Sequence, residues 1–258
     1  MKTISYRQTE GLAIVTLNAP PLNLVSLEMT QELSDLLAQL GTDPSVRGLL
    51  VTGSGNKAFC AGSDIKEFDD YMAPGAVIEK KLARENAMYT QLANFRTPTV
   101  AAVQGLAFGG GLELAVCCDI IVAAESARFA LPEVKLGVFP GSGGTVRVQR
   151  RVGYARALEM TVLGDPIKSE NALSWGLVNR VVPDDQLTEK AEEIATRIAQ
   201  GPLSQNLAKS ALRLAAELPE DAAIKGAMDL IDRAFNSSDC RAGVDAFRAR
   251  QKPRFFGK

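Results

Sequence analysis

The sequence predicts an α/β layer fold with parallel strands and crossover helices, followed by a helical C-terminal portion. Three observations support this. Short apolar runs bounded by turn residues alternate with amphipathic helical patterns through roughly the first 125 residues. From about Gly141 the pattern becomes mostly helical. The chain has 258 residues, 46% hydrophobic and 23% charged, enough to bury a sizeable core as one large domain or one domain plus an appendage.

Strands are expected at Leu12–Leu17, Val46–Val51, Thr99–Val103 and Asp119–Val122, with a short one at Arg128–Ala130. A further apolar run, Leu177–Val182, lies between Gly176 and Pro183. The first helix, Leu27–Leu40, places Leu33, Leu36, Leu37 and Leu40 on one stripe, and Gly41 is expected to stop it. A second, Ala76–Phe95, precedes Thr97-Pro98. The later helical patterns are Thr145–Arg151, Ala155–Leu163, Ser169–Leu173, Asp185–Ala199, Pro202–Leu218, Asp221–Phe235 and Arg241–Arg248. No flexible linker, internal repeat or low-complexity segment separates them.

Net charge is −1, from 29 basic and 30 acidic residues, and no block carries one sign. Neither a nucleic acid nor a membrane is an expected partner. The start, "MKTISYRQTE", has no apolar signal segment, and no 18-residue apolar run follows, so the expected location is cytoplasmic. Cys60, Cys117, Cys118 and Cys240 show no C-x-x-C spacing and read as buried thiols rather than a disulfide framework or metal site. Histidine is absent. That removes Ser-His-Asp and Cys-His systems, the H-E-x-x-H zinc helix and any imidazole base. The remaining proton carriers are carboxylates, lysines, cysteines and tyrosines.

Two glycine motifs are decoys. "GSGNKA", at Gly53–Ala58, matches a dinucleotide-binding signature but leads into Phe59-Cys60 rather than a helix, and Asp69 and Asp70 come too early for a ribose contact. It reads as a hairpin-like loop. "PGSGGTVR", at Pro140–Arg147, lacks the lysine of a phosphate loop.

Three segments combine glycines or carboxylates with apolar surroundings. In "GLAFGGGLELA" each glycine costs a helix about 1 kcal/mol against alanine, and Glu113 sits among Leu112, Leu114, Ala115 and Val116. Either the glycines bring a helix N-terminus against a ligand oxyanion, or they permit tight packing while Glu113 serves the helix electrostatically. "AFCAGSDIKEF" starts a short helix near Asp64. It either supplies another N–H or holds an ordinary N-cap at Ser63 or Asp64. In "FALPEVKLGVFPGSGG", Glu133 follows Pro132 among apolar neighbours, either reaching water or held for chemistry.

Together these segments resemble the crotonase superfamily, most of all its enoyl-CoA hydratases. The resemblance runs through "AFCAGSDIKE", "AAVQGLAFGGGLELAVCCDIIVA", "FALPEVKLGVFPGSGGT", "GLVNRVV" and "FRARQKPRF", nearly the whole chain. It implies a spiral core of ββα units over residues 1–200 and a helical trimerisation region over residues 201–258, assembled as a homotrimer or homohexamer. The implied substrate is an acyl-CoA thioester, in fatty-acid metabolism such as β-oxidation. By motif alignment Glu113 and Glu133 are the catalytic pair, and the backbone N–H groups of Ser63 and Gly110 form the oxyanion hole. Leu24, Ala61, Gly62, Asp64, Ile65, Gly109, Phe139 and Gly141 would contact CoA or substrate, with no metal and no cofactor beyond CoA itself. The acyl pocket would be lined by Phe68, Tyr71, Met72, Ala76 and Phe139. The early loop "NAPPLNLVS" lacks the basic residue usual before its asparagine and carries Leu24 where alanine is usual, as in multifunctional fatty-acid-oxidation proteins. Lys252 is the substitute candidate for the CoA phosphates, against a solvated surface lysine. The alternative readings are a double-bond isomerase or a hydroxyacyl-CoA dehydratase of the same family, a non-catalytic RNA-binding relative, or an NAD oxidoreductase built on "GSGNKA".

Overall fold

Parallel strands threaded through two sheets organise the chain, whose computed structural model describes residues 1–258. A hairpin of β1 (Ile4–Thr9) and β2 (Leu12–Leu17) opens it, and α1 (Leu27–Thr42) follows. Three ββα units come next. The first is β3 (Gly48–Gly53), β4 (Ala58–Cys60) and α2 (Ala83–Ala93); the second is β5 (Thr99–Val103), β6 (Leu106–Phe108) and α3 (Gly110–Ala115). The third is β7 (Ile120–Ala124), β8 (Arg128–Ala130) and α4 (Gly144–Val152). Each unit gives its first strand to a six-stranded sheet, β1-β2-β3-β5-β7, and its second to a four-stranded sheet, β4-β6-β8. After α5 (Tyr154–Leu163), the short β9 (Ile167–Lys168) completes the small sheet. Then α6 (Ser169–Ser174) leads to β10 (Arg180–Val182), which completes the large one. This is the spiral of the crotonase fold.

The strands of the large sheet form where continuous β-branched and aliphatic runs can be buried on both faces. All five residues of β5 are buried, and its Val100 and Ala101 pair with Leu50 and Val51 on one side and Ile120 and Ile121 on the other. A core of 52 buried residues runs from Ile4 to Ala199, the last residue of α7 (Leu187–Ala199), and takes nothing from the helices beyond. Those are α8 (Ser204–Glu217), α9 (Glu220–Phe235) and α10 (Ser238–Arg248), which leave Leu212, Ile224, Met228, Ile231, Phe235 and Phe247 exposed.

Several expectations need correcting. The helix α1 passes through Gly41 and ends at Asp43, whose side chain accepts from the Ser45 N–H at 2.8 Å; burial of its leucine stripe outweighs the glycine penalty. The second helix begins at Ala76 as expected, passes through a π turn at Ile78–Leu82 into α2, and ends at Ala93 rather than Phe95. Of the run Leu177–Val182 only β10 is strand, because the N–H groups of Leu177 and Val178 turn back to the Ala172 carbonyl. "GSGNKA" is no hairpin, since it carries the chain from one sheet to the other. No helix follows it, and a Cβ on Gly53 would lie 2.4 Å from the Phe59 carbonyl. No helix is long and apolar enough to cross a membrane.

Candidate active site

The three consecutive glycines have three separate local reasons. Gly109 adopts φ 50°, a backbone state costly for other residues, and a Cβ there would stand 3.0 Å from Glu133 Oε1. Gly110 opens α3 facing the Tyr89 hydroxyl, Ser63 Oγ and Glu85 Oε1, which would lie 3.3, 3.4 and 3.6 Å from a Cβ. Gly111 packs so tightly on β4 that a Cβ would fall 2.0 Å from the Cys60 carbonyl oxygen. The first helical turn of α3 is thus pressed against the end of β4 and the loop that follows it.

That loop carries Ser63. A Cβ on Gly62 would lie 3.9 Å from the Gly110 nitrogen, so the two segments run side by side. The N–H groups of Ser63 and Gly110 donate to no acceptor within the chain. Tyr89, fully buried, donates its hydroxyl to the Gly110 carbonyl at 2.7 Å and fixes that peptide. The early loop lies alongside: Ala61 N–H donates to the Leu22 carbonyl, Val25 N–H to Gly62, and Asp64 N–H to Val25. Leu24, Ala61, Gly62 and Asp64 are therefore neighbours. Asp64 also caps the 3₁₀ turn Ile65–Tyr71, accepting from the Lys66 N–H at 3.0 Å, as one of the two sequence readings has it.

Glu113 is 3% exposed, and its Oε1 accepts from the Ser142 N–H at 2.8 Å and the Gly144 N–H at 2.7 Å. It thereby caps α4 rather than its own helix, through the N-terminal N–H groups that α4 cannot bond internally. Its Oε2 makes no hydrogen bond within the chain. Burial pushes the Glu113 carboxyl up to about 7 against the lowering effect of the Gly144 N–H, and the nearby Glu133 charge adds to the rise. Glu133 stands on the 3₁₀ turn Pro132–Leu136, which Gly137 closes at φ 78°. Its Oε2 is buried without a hydrogen-bond partner, and burial pushes this carboxyl up to about 7 as well. Two carboxyl groups that both titrate near neutrality border one backbone cradle, one acting on the other. Two carboxyl groups raised in this way are suited to giving and taking protons.

Residues 7–258 match the family described as enoyl-CoA hydratase/isomerase. This chain belongs to that family. A probable enoyl-CoA hydratase of Mycobacterium tuberculosis is 38% identical over 256 residues, 98% of each chain. A crotonyl-CoA hydratase of Syntrophomonas wolfei is 35% identical over 259 residues, covering 100% of this chain and 99% of the relative. The crystal structure of an enoyl-CoA hydratase from Bacillus anthracis superposes with a TM-score of 0.94 at 32% identity, covering 99% of this chain and 100% of that one.

Other candidates lie outside that cluster. Ile65 is 61% exposed, Phe139 71% and Met72 74%, whereas Tyr71 and Ala76 are buried. Gly141 lies at the rim, its carbonyl accepting from Asn86 Nδ2 at 3.0 Å. Lys252 is exposed on the C-terminal tail, which docks on Asp239 and Arg47 instead: Phe256 and Gly257 N–H donate to Asp239, and Arg47 Nη1 donates to the Phe255 carbonyl.

Sequence reasoning missed Ser142 and Gly144, which hold Glu113, and the buried pair Lys81–Glu85. Lys81 Nζ lies 2.8 Å from Glu85 Oε2, and Glu85 Oε1 accepts from Ser142 Oγ at 2.7 Å. An i,i+4 Lys–Glu pair reads as a surface ion pair, and only its burial under tertiary packing marks it otherwise.

Proposed function

We propose that this chain is an enoyl-CoA hydratase that adds water reversibly across the C2–C3 double bond of a trans-2-enoyl-CoA, giving the 3-hydroxyacyl-CoA. The observation that carries the proposal is the pair Glu113 and Glu133, both raised to about 7, beside two free backbone N–H groups. In this reading the thioester oxygen accepts from Ser63 and Gly110. The ionised member of the pair takes a proton from water as its oxygen bonds to C3, and electron density moves through C2 to the thioester oxygen. The protonated member then gives its proton to C2. One water is consumed, nothing is oxidised or reduced, and the reaction needs no metal or redox cofactor. Charge collects where the two N–H groups point, and each such donor contributes on the order of 10²–10³ in rate. Leu24, Ala61, Gly62, Asp64 and Ile65 would contact the CoA moiety.

The deciding test is a set of purified trans-2-enoyl-CoAs from four carbons upward, with a 3-enoyl-CoA alongside. Loss of enoyl absorbance with 3-hydroxyacyl-CoA as product is the expected result. Conversion of the 3-enoyl to the 2-enoyl thioester without hydration would put an isomerase in its place.

The proposed assembly is a homotrimer or a dimer of trimers, supported by the exposed apolar residues of α8, α9 and α10. Light scattering is expected to show such an oligomer at micromolar concentration, and a monodisperse monomer would contradict it.

A further inference from the structure

Lys81, Glu85 and Tyr89 follow one another at intervals of four residues along the π turn Ile78–Leu82 and α2, and all three are buried. The side chains of Lys81 and Glu85 are 5% and 2% exposed, where an i,i+4 ion pair on a helix ordinarily stays in water. The two take no part in the chemistry proposed above. Lys81 Nζ meets Glu85 Oε2 at 2.8 Å, so the ammonium balances the carboxylate charge. The other oxygen, Oε1, accepts from the Ser142 hydroxyl at 2.7 Å. A hydrogen bond to a charged acceptor is stronger than one between neutral groups, and here no water competes for it.

Ser142 links this pair to a reacting group. Its N–H donates to Glu113 Oε1 at 2.8 Å while its hydroxyl is held by Glu85. Two other contacts touch the same turn. Arg147 Nη1 donates to the Ser142 carbonyl at 3.1 Å, and Asn86 Nδ2 donates to the Gly141 carbonyl at 3.0 Å. Of the three, only the bond to Glu85 is buried. In the segment Gly141–Gly144 Ser142 is also the one residue with a side chain beyond hydrogen, and glycines leave a backbone unusually free. The turn that holds Glu113 therefore has a single side-chain anchor, and its partner is Glu85.

Accepting the hydratase reading, we infer that Glu85, balanced by Lys81, is a positioning residue that sets Glu113 for proton transfer by anchoring Ser142. Glu85 touches no reacting atom in this account and acts only through the Ser142 peptide. Lys81 belongs to the device because a carboxylate left unbalanced at this depth would be strongly destabilising. Tyr89, one turn beyond Glu85, donates to the Gly110 carbonyl at 2.7 Å. One helix thus steadies both halves of the proposed machinery, the oxyanion peptide through Tyr89 and the carboxylate through Glu85 and Ser142. Loosening such an anchor costs rate rather than binding, because the thioester contacts are untouched while the reacting group is misplaced.

The test compares two double variants in steady-state hydration of crotonyl-CoA, Lys81→Met with Glu85→Gln and Lys81→Met with Glu85→Leu. Both remove the ion pair and keep similar volume, but only glutamine retains an acceptor for the Ser142 hydroxyl. Burial is the main cause of the raised Glu113 carboxyl and the Glu85 charge adds to it, an influence both variants remove alike. The kcat of the glutamine variant is expected to exceed that of the leucine variant by about threefold or more, with KM equal within about twofold. Ser142→Ala keeps the N–H to Glu113 and loses only the hydroxyl. It is expected to lower kcat by about threefold or more in the wild-type protein, and by less in the leucine variant, where the hydroxyl has no acceptor. If the leucine variant does not fold, Ser142→Ala in the wild-type protein decides, by the same fall in kcat at nearly constant KM. Equal kcat in the two double variants, a Ser142→Ala protein as active as the wild type, losses from Ser142→Ala of one size in both backgrounds, or a change confined to KM would overturn the inference. A wild-type protein that hydrates no enoyl thioester would instead remove the hydratase reading on which it rests.

Discussion

Glu113 sits inside α3 with one oxygen held by two backbone N–H groups of the Ser142–Gly144 turn, whereas Glu133 sits on a single 3₁₀ turn with one oxygen buried and unbonded. Around Glu113 everything is buried; beyond Glu133 the chain exposes Val134, Leu136, Val138 and Phe139. Both carboxyl groups nevertheless reach about 7, because desolvation is the largest influence on each. The difference teaches that acidity and position are set separately here. Burial is the main cause of both rises, while hydrogen bonds decide which of the two groups is fixed in place.

The largest effect is expected where both carboxylates depend on the same feature. Gly110→Pro removes a proposed oxyanion donor and disturbs the start of α3, so hydration is expected to drop by at least 10²–10³ in a steady-state assay. Gly144→Ala separates the two residues. Its Cβ would lie 2.9 Å from Glu113 Oε1 and 3.0 Å from Cγ, displacing the anchored carboxylate and leaving Glu133 untouched. A loss of kcat of about 10- to 100-fold with a nearly unchanged KM is expected, since near-attack geometry is lost and thioester binding is not.

Stability sharpens the comparison further. A carboxyl group whose folded pKa is raised binds more protons in the folded state, so its penalty is absent below the unfolded value near 4.5 and grows as pH rises toward about 7. Glu113→Gln is therefore expected to stabilise the protein by about 1–3 kcal/mol at pH 8 and by little at pH 4, measured by urea unfolding. Glu133→Gln should show the same sign and a smaller size, because its residue is only half-buried. Ser63→Ala is expected to change hydration least, within about threefold, because only the Ser63 backbone N–H is assigned a role.

The parts of this arrangement that rest on local chain properties were legible in the sequence. Thr99–Val103 and Arg128–Ala130 are strands as read, since their β-branched and apolar runs have no other use. Glu113 and Glu133 stood out because a carboxylate among apolar neighbours is costly wherever it lies. The edge strand β1 escaped because four of its six residues are exposed or polar enough to blur the alternation. The three-residue strands β4 and β6 were not given bounds because each runs directly into a glycine segment, "AGSD" or "GGGLE", whose loop character masks it. What holds Glu113 was not legible at all. Ser142 and Gly144 are 29 and 31 residues away and meet it only once the spiral brings α3 and α4 together.

The central claim is that Glu113 and Glu133 act as one acid–base unit, and steady-state hydration of crotonyl-CoA by Glu113→Gln, Glu133→Gln and the double variant measures it most directly. Each single variant keeps side-chain shape but cannot exchange a proton, so each is expected to lose kcat by about 10²-fold or more, the general acid–base contribution. The double variant is expected to be little worse than the worse single, because groups that work as a unit fail as a unit. Losses that multiply in the double variant, or a Glu133→Gln protein that hydrates crotonyl-CoA near the wild-type rate, would contradict the account.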